Sequence, residues 1–123
     1  FNNGTVGWTD WNILLDEHGG PNHVANFCFA PMHADTKAGK LIYTNAYYYI
    51  GHFSKFIRPG AKRINVSSNR ATLQSTAFRN SDGSIVVIVM NSTEKKLEYK
   101  LWIEGKAAAM QSLPHSISTF IIK

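Results

Sequence analysis

The sequence predicts an α/β plus all-β chain in two parts, a strand–loop–helix unit followed by the strands of an antiparallel β-sandwich. Three observations carry this. Residues 43–56, YTNAYYYIGHFSKF, set Tyr43, Ala46, Tyr47, Ile50, Phe53 and Phe56 at spacings of three and four, the stripe of an amphipathic helix. After Gly60 the texture changes to strand-sized runs (RINVSS, ATLQSTAFRN, SIVVIVMNS, LEYKLWIEG, AAAMQSLP and SISTFIIK), each bounded by turn residues. Between the two textures, Pro59-Gly60 ends the helix.

Taken in order, residues 4–12 read as a short strand running into a loop, because Thr5, Val6, Trp8 and Trp11 suit a buried, pleated element. Residues 13–36 read as an irregular loop carrying Gly19, Gly20, Pro21 and Pro31, with room for one helical turn at 22–28. Thr44 or Asn45 caps the helix of 43–56. Ile85 to Met90 is apolar throughout, which predicts a central strand covered on both faces. Leu97, Tyr99, Leu101 and Ile103 alternate with polar or exposed positions, which marks a strand buried on one side. Ser81-Asp82-Gly83 joins two strands as a hairpin, and regular short strands of this kind build a sandwich. A lone β/α unit cannot bury its own faces. The first part therefore reads as the last β/α unit of a (β/α)8 barrel. The chain opens on Phe1 and not on Met, so it reads as the tail of a longer protein or a trimmed piece of one.

Composition narrows the function classes. The chain has 123 residues, 44% hydrophobic and 17% charged, an ordinary globular balance. No 18-residue apolar run is present, so no transmembrane segment is predicted. Cys28 is the single cysteine, which excludes an internal disulfide and a multi-cysteine zinc site. Flanked by Phe27 and Phe29, it reads as a buried structural thiol. His18, His23, His33, His52 and His115 show no metal-ligand spacing, and no metal or other cofactor is predicted. His52 reads as packed or surface. Residues 1–52 carry two bases against four acids, and residues 53–123 carry eleven bases against four acids. Without interleaved aromatics or a nucleic-acid motif, this basic half reads as a solvated sheet face and predicts no nucleic-acid partner. Three N-x-S/T sequons begin at Asn3, Asn65 and Asn91 and would permit glycosylation in a eukaryotic secretory pathway.

The stretch GWTDWNILLDEHGGPN, residues 7–22, is the candidate site. Two tryptophans three apart, with Asp10 between them, read equally well as core or as the wall of a binding site.

Five segments point further. VGWTDWN (6–12), GGPN (19–22), NF (26–27), GHFSKFIRPG (51–60) and DGSIVVIVMN (82–91) together resemble the C-terminal end of acid β-glucosidases, the glucosylceramidase branch of glycoside hydrolase family 30. The resemblance implies that residues 1–58 are the C-terminal end of the catalytic barrel and residues 59–123 belong to the β-sandwich. It places the last barrel strand at 4–12 and the last barrel helix at 43–57. It also implies a sandwich strand contributed from before the barrel. The implied chemistry is retaining hydrolysis of a β-glucoside by two glutamates. In the family both lie upstream of this segment. Glu17, Glu94, Glu98 and Glu104 match neither, so no catalytic residue is expected in this chain.

What the chain supplies, by the same resemblance, is pocket wall. Trp11 and Asn26 match residues that line the glucose site, Trp8 is core beneath, and Asp10 orients a neighbour. The implied partners are a β-glucoside substrate, glycolipid or glucan, and the remainder of the barrel. The implied location is extracytoplasmic: secreted, periplasmic or lysosomal-like. His23 stands where these enzymes usually carry an aromatic, and PMHADTKAGK (31–40) departs from the lysosomal pattern. Both rim the pocket mouth, so aglycone preference is open. The competing reading is a stand-alone, non-catalytic carbohydrate-binding or structural β-sandwich module, since sandwiches serve both roles. Residues 1–57 speak against it, because a free-standing module has no use for a barrel strand and helix.

Overall fold

The computed structural model describes all 123 residues, which fall into two compact units, Phe1–Gly51 and His52–Lys123. The first is built on a three-stranded sheet of β1 (Leu14–Asp16), β2 (Met32–Asp35) and β3 (Lys40–Tyr43). β1 runs parallel to β2, and β2 pairs antiparallel with β3. The hairpin between β2 and β3 turns on Asp35, whose Oδ1 accepts the Lys37 and Ala38 N–H groups at 3.1 and 2.8 Å. Gly39 completes it at φ 64°, a left-handed conformation that glycine adopts at no steric cost.

Several expectations for this half are corrected. Residues 13–36 are not an irregular loop, since they contain β1 and β2. These strands are three and four residues long, too short to show a period, and the β1–β2 pairing is parallel and so leaves no local turn signal. Residues 4–12 do not form a strand: the segment is exposed and irregular, with Val6, Trp8 and Trp11 open to solvent. A strand needs a hydrogen-bonded neighbour, and none of the three strands in this unit pairs with it. Trp8 is therefore not core in this chain. The region 22–28 holds no helix, only a turn at His23-Val24.

The helix, α1 (Asn45–Ser54), is shorter than 43–56 at both ends. Thr44 stands just before it, but its hydroxyl donates to the Ala30 and Pro31 carbonyls at 3.2 and 2.9 Å instead of capping the helix. The exit is as expected. Ile57 N–H closes the last turn on the Phe53 carbonyl at 3.0 Å, and Pro59 and Gly60 follow. No helix residue is buried.

The second unit is a four-stranded antiparallel sheet with a two-stranded hairpin packed on it. β4 (Lys62–Ile64), β5 (Leu73–Arg79), β6 (Ile85–Asn91) and β9 (Ser116–Ile122) stand in the order β4-β5-β6-β9, and β7 (Leu97–Ile103) pairs with β8 (Lys106–Ser112). β4 covers only the front of the run RINVSS. The hairpin at Ser81-Asp82-Gly83 is present, with Asp82 Oδ1 accepting from the Ser84 N–H at 2.9 Å and the Ser84 hydroxyl at 2.6 Å. These bonds hold the Asp82 carboxyl below its ordinary range, the hydroxyl bond contributing most.

Ile85 to Val89 are all buried, as their unbroken apolarity predicts. Alternate side chains point to opposite faces. On one face Leu73, Ala77, Ile85, Val87 and Val89 form the core, and Leu97, Tyr99, Leu101 and Ile103 of β7 pack against it. The other face carries Thr76, Phe78, Val86 and Ile88, all buried. There Thr119, opposite Ile88, meets His52 Nδ1 at 2.8 Å. Two strands cannot cover four, and a groove of about 1390 Å³ runs between β7 and the 64–70 segment.

Asn80 and Asn91 fix the ends of this sheet. Asn80 Oδ1 accepts the Arg58 N–H at 3.0 Å, and its Nδ2 donates to the Phe56 carbonyl and the Ser84 hydroxyl, both at 3.1 Å. Asn91 is fully buried. Its Nδ2 donates to the Lys95 and Leu113 carbonyls at 2.8 and 2.9 Å, and its Oδ1 accepts from the Thr93 N–H and hydroxyl at 3.0 and 2.8 Å. The sequon at Asn91 is thus spent inside the fold, whereas Asn3 and Asn65 are exposed.

Asn91→Ala should lower stability by about 2–4 kcal/mol, because it leaves buried carbonyls and an N–H unpartnered. Chemical denaturation should read this as a shift in midpoint at constant slope. A second expectation concerns pH. Burial holds the His52 imidazole below its ordinary value of 6.5, so the folded state resists a proton that the unfolded chain accepts. Its stabilising contribution is complete above the unfolded value and declines as pH falls from there toward the folded one. The drop in Tm between pH 7.5 and 5 should be shallower in His52→Gln than in the native sequence, and equal slopes would remove His52 from the account.

Candidate functional site

Asp10, Trp11 and Asn26 all lie in the first unit. Trp11 is 71% exposed and Trp8 73%, so neither indole is core in this chain. The Trp11 N–H donates to Asp10 Oδ1 at 2.9 Å, which ties that carboxylate to the backbone of the residue it precedes. The segment joins the sheet just beyond, where the Ile13 carbonyl accepts the Met32 N–H at 3.0 Å.

Asn26 sits in a loop of residues 19–30 built by local polar contacts. At the end of β1 the Asp16 carboxylate turns the chain, its Oδ1 accepting the His18 and Gly20 N–H groups, each at 2.8 Å. The loop then folds back so that the Cys28 N–H reaches the Gly19 carbonyl at 3.3 Å. A Cβ on Gly19 would overlap the Cys28 backbone, so only glycine fits. Asn22 is the centre of the loop. Its Nδ2 donates to the Gly19 carbonyl at 3.0 Å and the Asn26 carbonyl at 2.6 Å, while its Oδ1 accepts the Val24 and Asn26 N–H groups at 3.2 and 3.4 Å. The Asn26 side chain engages only the Cys28 thiol, which meets its Oδ1 at 3.7 Å. Cys28 is half-buried, less enclosed than its neighbours predicted, because Phe27 and Phe29 are themselves exposed.

His33 anchors the far side of the loop. Its ring is 7% exposed, with Nε2 accepting the Ala30 N–H at 3.1 Å and Nδ1 at 2.8 Å from the Asp16 carbonyl. A ring nitrogen that accepts carries no proton, so Nδ1 must donate, and the geometry selects the neutral Nδ1–H tautomer. Phe27 stacks on this ring at 5.6 Å and 13°, and Phe29 tilts against it at 5.6 Å. Nearby, Glu17 accepts the Thr36 N–H at 3.0 Å and the Thr36 hydroxyl at 2.8 Å. These bonds, the backbone one foremost, pull its carboxyl down to about 2.

Sequence reasoning missed Asn22 and His33. The first had a signal, since Asn commonly bonds the backbone two residues on in a turn, as it does here to Val24. The second had none, because its backbone acceptor lies 17 residues away.

The arrangement offers exposed indole faces and a side-chain amide with donor capacity to spare. That suits a ligand with apolar faces and many hydroxyls. No three His, Cys, Asp or Glu side chains converge to hold a metal ion. Three of the four glutamates have a side-chain partner: Glu17 on Thr36, and, on the surface, Glu94 on His115 at 2.8 Å and Glu104 on Arg79 at 3.8 Å.

Comparison with known proteins agrees along the chain. Residues 1–57 match the glycosyl hydrolase family 30 TIM-barrel domain, and residues 60–120 match the glycosyl hydrolase family 30 beta sandwich domain. The lysosomal acid glucosylceramidase of Mus musculus is 40% identical over 91 residues, covering 73% of this chain and 18% of that protein. The crystal structure of SrfJ from Salmonella typhimurium superposes with a TM-score of 0.95 at 35% identity, covering all of this chain and 28% of that one. An endo-β-1,6-glucanase superposes with a TM-score of 0.81 at 25% identity, over 90% of this chain and 26% of that one. The chain therefore spans 18% to 28% of the length of these proteins. On the matches to both domains, the chain belongs to glycosyl hydrolase family 30, and it comprises the end of the TIM barrel followed by the β-sandwich.

Proposed function

We propose that this chain is the C-terminal part of a retaining β-glucosidase acting on glucosylceramide-like or β-1,6-glucan substrates. In this reading residues 1–58 close the catalytic barrel and residues 59–123 belong to the sandwich. Trp11 and Asn26 form part of the glucose pocket, with Asp10 orienting the Trp11 backbone. The observation that carries the reading is the exposed indole of Trp11 on the segment matched by the barrel domain. Burial of a Trp ring is strongly favourable, so a ring left 71% open is available to cover a sugar face. The indole face would cover sugar C–H groups, and its N–H and the Asn26 amide would meet hydroxyls.

Catalysis in a retaining enzyme needs two carboxyl groups about 5–5.5 Å apart across the scissile bond. Glu94, Glu98 and Glu104 lie in the stretch matched by the sandwich domain, and Glu17 is engaged with Thr36, which supports placing both catalytic glutamates in the rest of the barrel. Among the matched proteins, the mouse relative carries glucosylceramidase in its name and another is an endo-β-1,6-glucanase, and these two define the substrate classes to test. An extracytoplasmic location goes with this reading. No helix is long and apolar enough to cross a membrane.

Two outcomes follow. The purified 123-residue chain should not turn over an aryl β-glucoside above the buffer rate. Turnover abolished by replacing one of its own glutamates would overturn the assignment of roles. In the full-length protein, Trp11→Ala should reduce kcat/KM by about 2–4 kcal/mol of transition-state binding through lost ring contact and an indole donor. Native kinetics in a normally folded Trp11→Ala protein would remove Trp11 from the pocket.

A further inference from the structure

The loop that carries Asn26 has no secondary structure, and residues 23–27 are exposed. Core packing therefore does not fix it. At Asn26 itself, what fixes the backbone is one side chain. Asn22 grips the Asn26 backbone from both sides, accepting its N–H at 3.4 Å and donating to its carbonyl at 2.6 Å. The same amide is tied to the end of β1 through the Gly19 carbonyl at 3.0 Å. Between them Ala25 is held at φ 51°, a left-handed conformation that a residue with a Cβ adopts at a cost and keeps only when its surroundings impose it. The Asn26 side chain has no anchor beyond the Cys28 thiol, so its placement follows its backbone. His33 holds the other end of the loop through Ala30.

We propose that Asn22 is a positioning residue for glycoside recognition, setting the loop so that Asn26 presents its amide to the sugar, with His33 as the second anchor. This rests on the reading of Asn26 as a sugar contact. The role is specific to the loop: the β1–β2 and β2–β3 ladders do not pass through Asn22, and losing its side chain should leave the sheet in place.

A double-mutant cycle in the full-length enzyme tests this, with amide hydrogen exchange as a readout independent of activity. Asn26→Ala should lower kcat/KM on an aryl β-glucoside about tenfold, the value of one hydrogen bond. Asn22→Ala should do the same, and the double variant should fall within about twofold of Asn26→Ala alone, since both remove one interaction. Exchange in Asn22→Ala should speed up over residues 24–30 and not in β2 or β3. Asn22→Asp keeps the acceptor bonds but sets a carboxylate oxygen against the Gly19 and Asn26 carbonyls, so it should also speed exchange over residues 24–30, and it serves if the alanine variant does not fold. His33→Leu should speed exchange at Ala30 in the same way. Losses that multiply to about a hundredfold, or unchanged exchange over 24–30, would overturn the positioning role. If Asn26→Ala keeps native kinetics, the sugar-contact reading fails. The exchange data then decide the loop's dependence on Asn22 separately.

Discussion

The second unit depends on strand β6. It is hydrogen-bonded along its whole length to β5 on one edge and β9 on the other, and its side chains are buried on both faces. Burying each apolar side chain contributes about 1.5–3 kcal/mol, while ordering each residue's backbone costs about 1–2 kcal/mol. With margins this small, the strand holds only if its backbone groups are all partnered. The neighbouring elements can be read as serving that requirement. The Asp82 turn sets the β5 register, β9 closes the second edge, and β7 lays an apolar row over one face.

A recurring device completes the polar accounting. Three asparagines, Asn22, Asn80 and Asn91, each use both ends of the amide to pin backbone that no ladder reaches. An amide suits this task because it carries acceptor and donors on one rigid plane without charge, so it can be buried at lower cost than a carboxylate. At the turns of Asp16, Asp35 and Asp82, where only N–H groups need an acceptor, the chain uses aspartate.

The first unit contrasts with the second. Its sheet has three short strands, and its largest aromatic groups, Trp8, Trp11, Phe27 and Phe29, are exposed. Its order comes from polar contacts around the loop of 19–30 more than from a core. The unit thus leaves its rings and the Asn26 amide open, where the second unit buries the apolar side chains of Ile85 to Val89 and its pinning amides.

Much was legible in the sequence wherever the deciding interaction is local. The 3.6-residue stripe of 43–56 located α1, Asp82-Gly83 located the hairpin, and unbroken apolarity from Ile85 located the doubly buried strand, because period and turn chemistry act over a few residues. The family followed from short motifs that keep their order along the chain. The sequence could not reveal β1 and β2, since a parallel pairing of Leu14 with Met32 joins residues 18 apart and a three-residue strand has no period to read. It also misled at residues 4–12, where strand-like composition met no pairing partner in this chain. The role of Asn22 rests on contacts within four residues and so had a local turn signal, whereas the role of His33 was set by tertiary structure. Whether an imidazole is a surface group or the anchor of a loop depends on which backbone groups the fold brings to it, and for His33 these are the Ala30 N–H and the carbonyl of Asp16 on β1, 17 residues away.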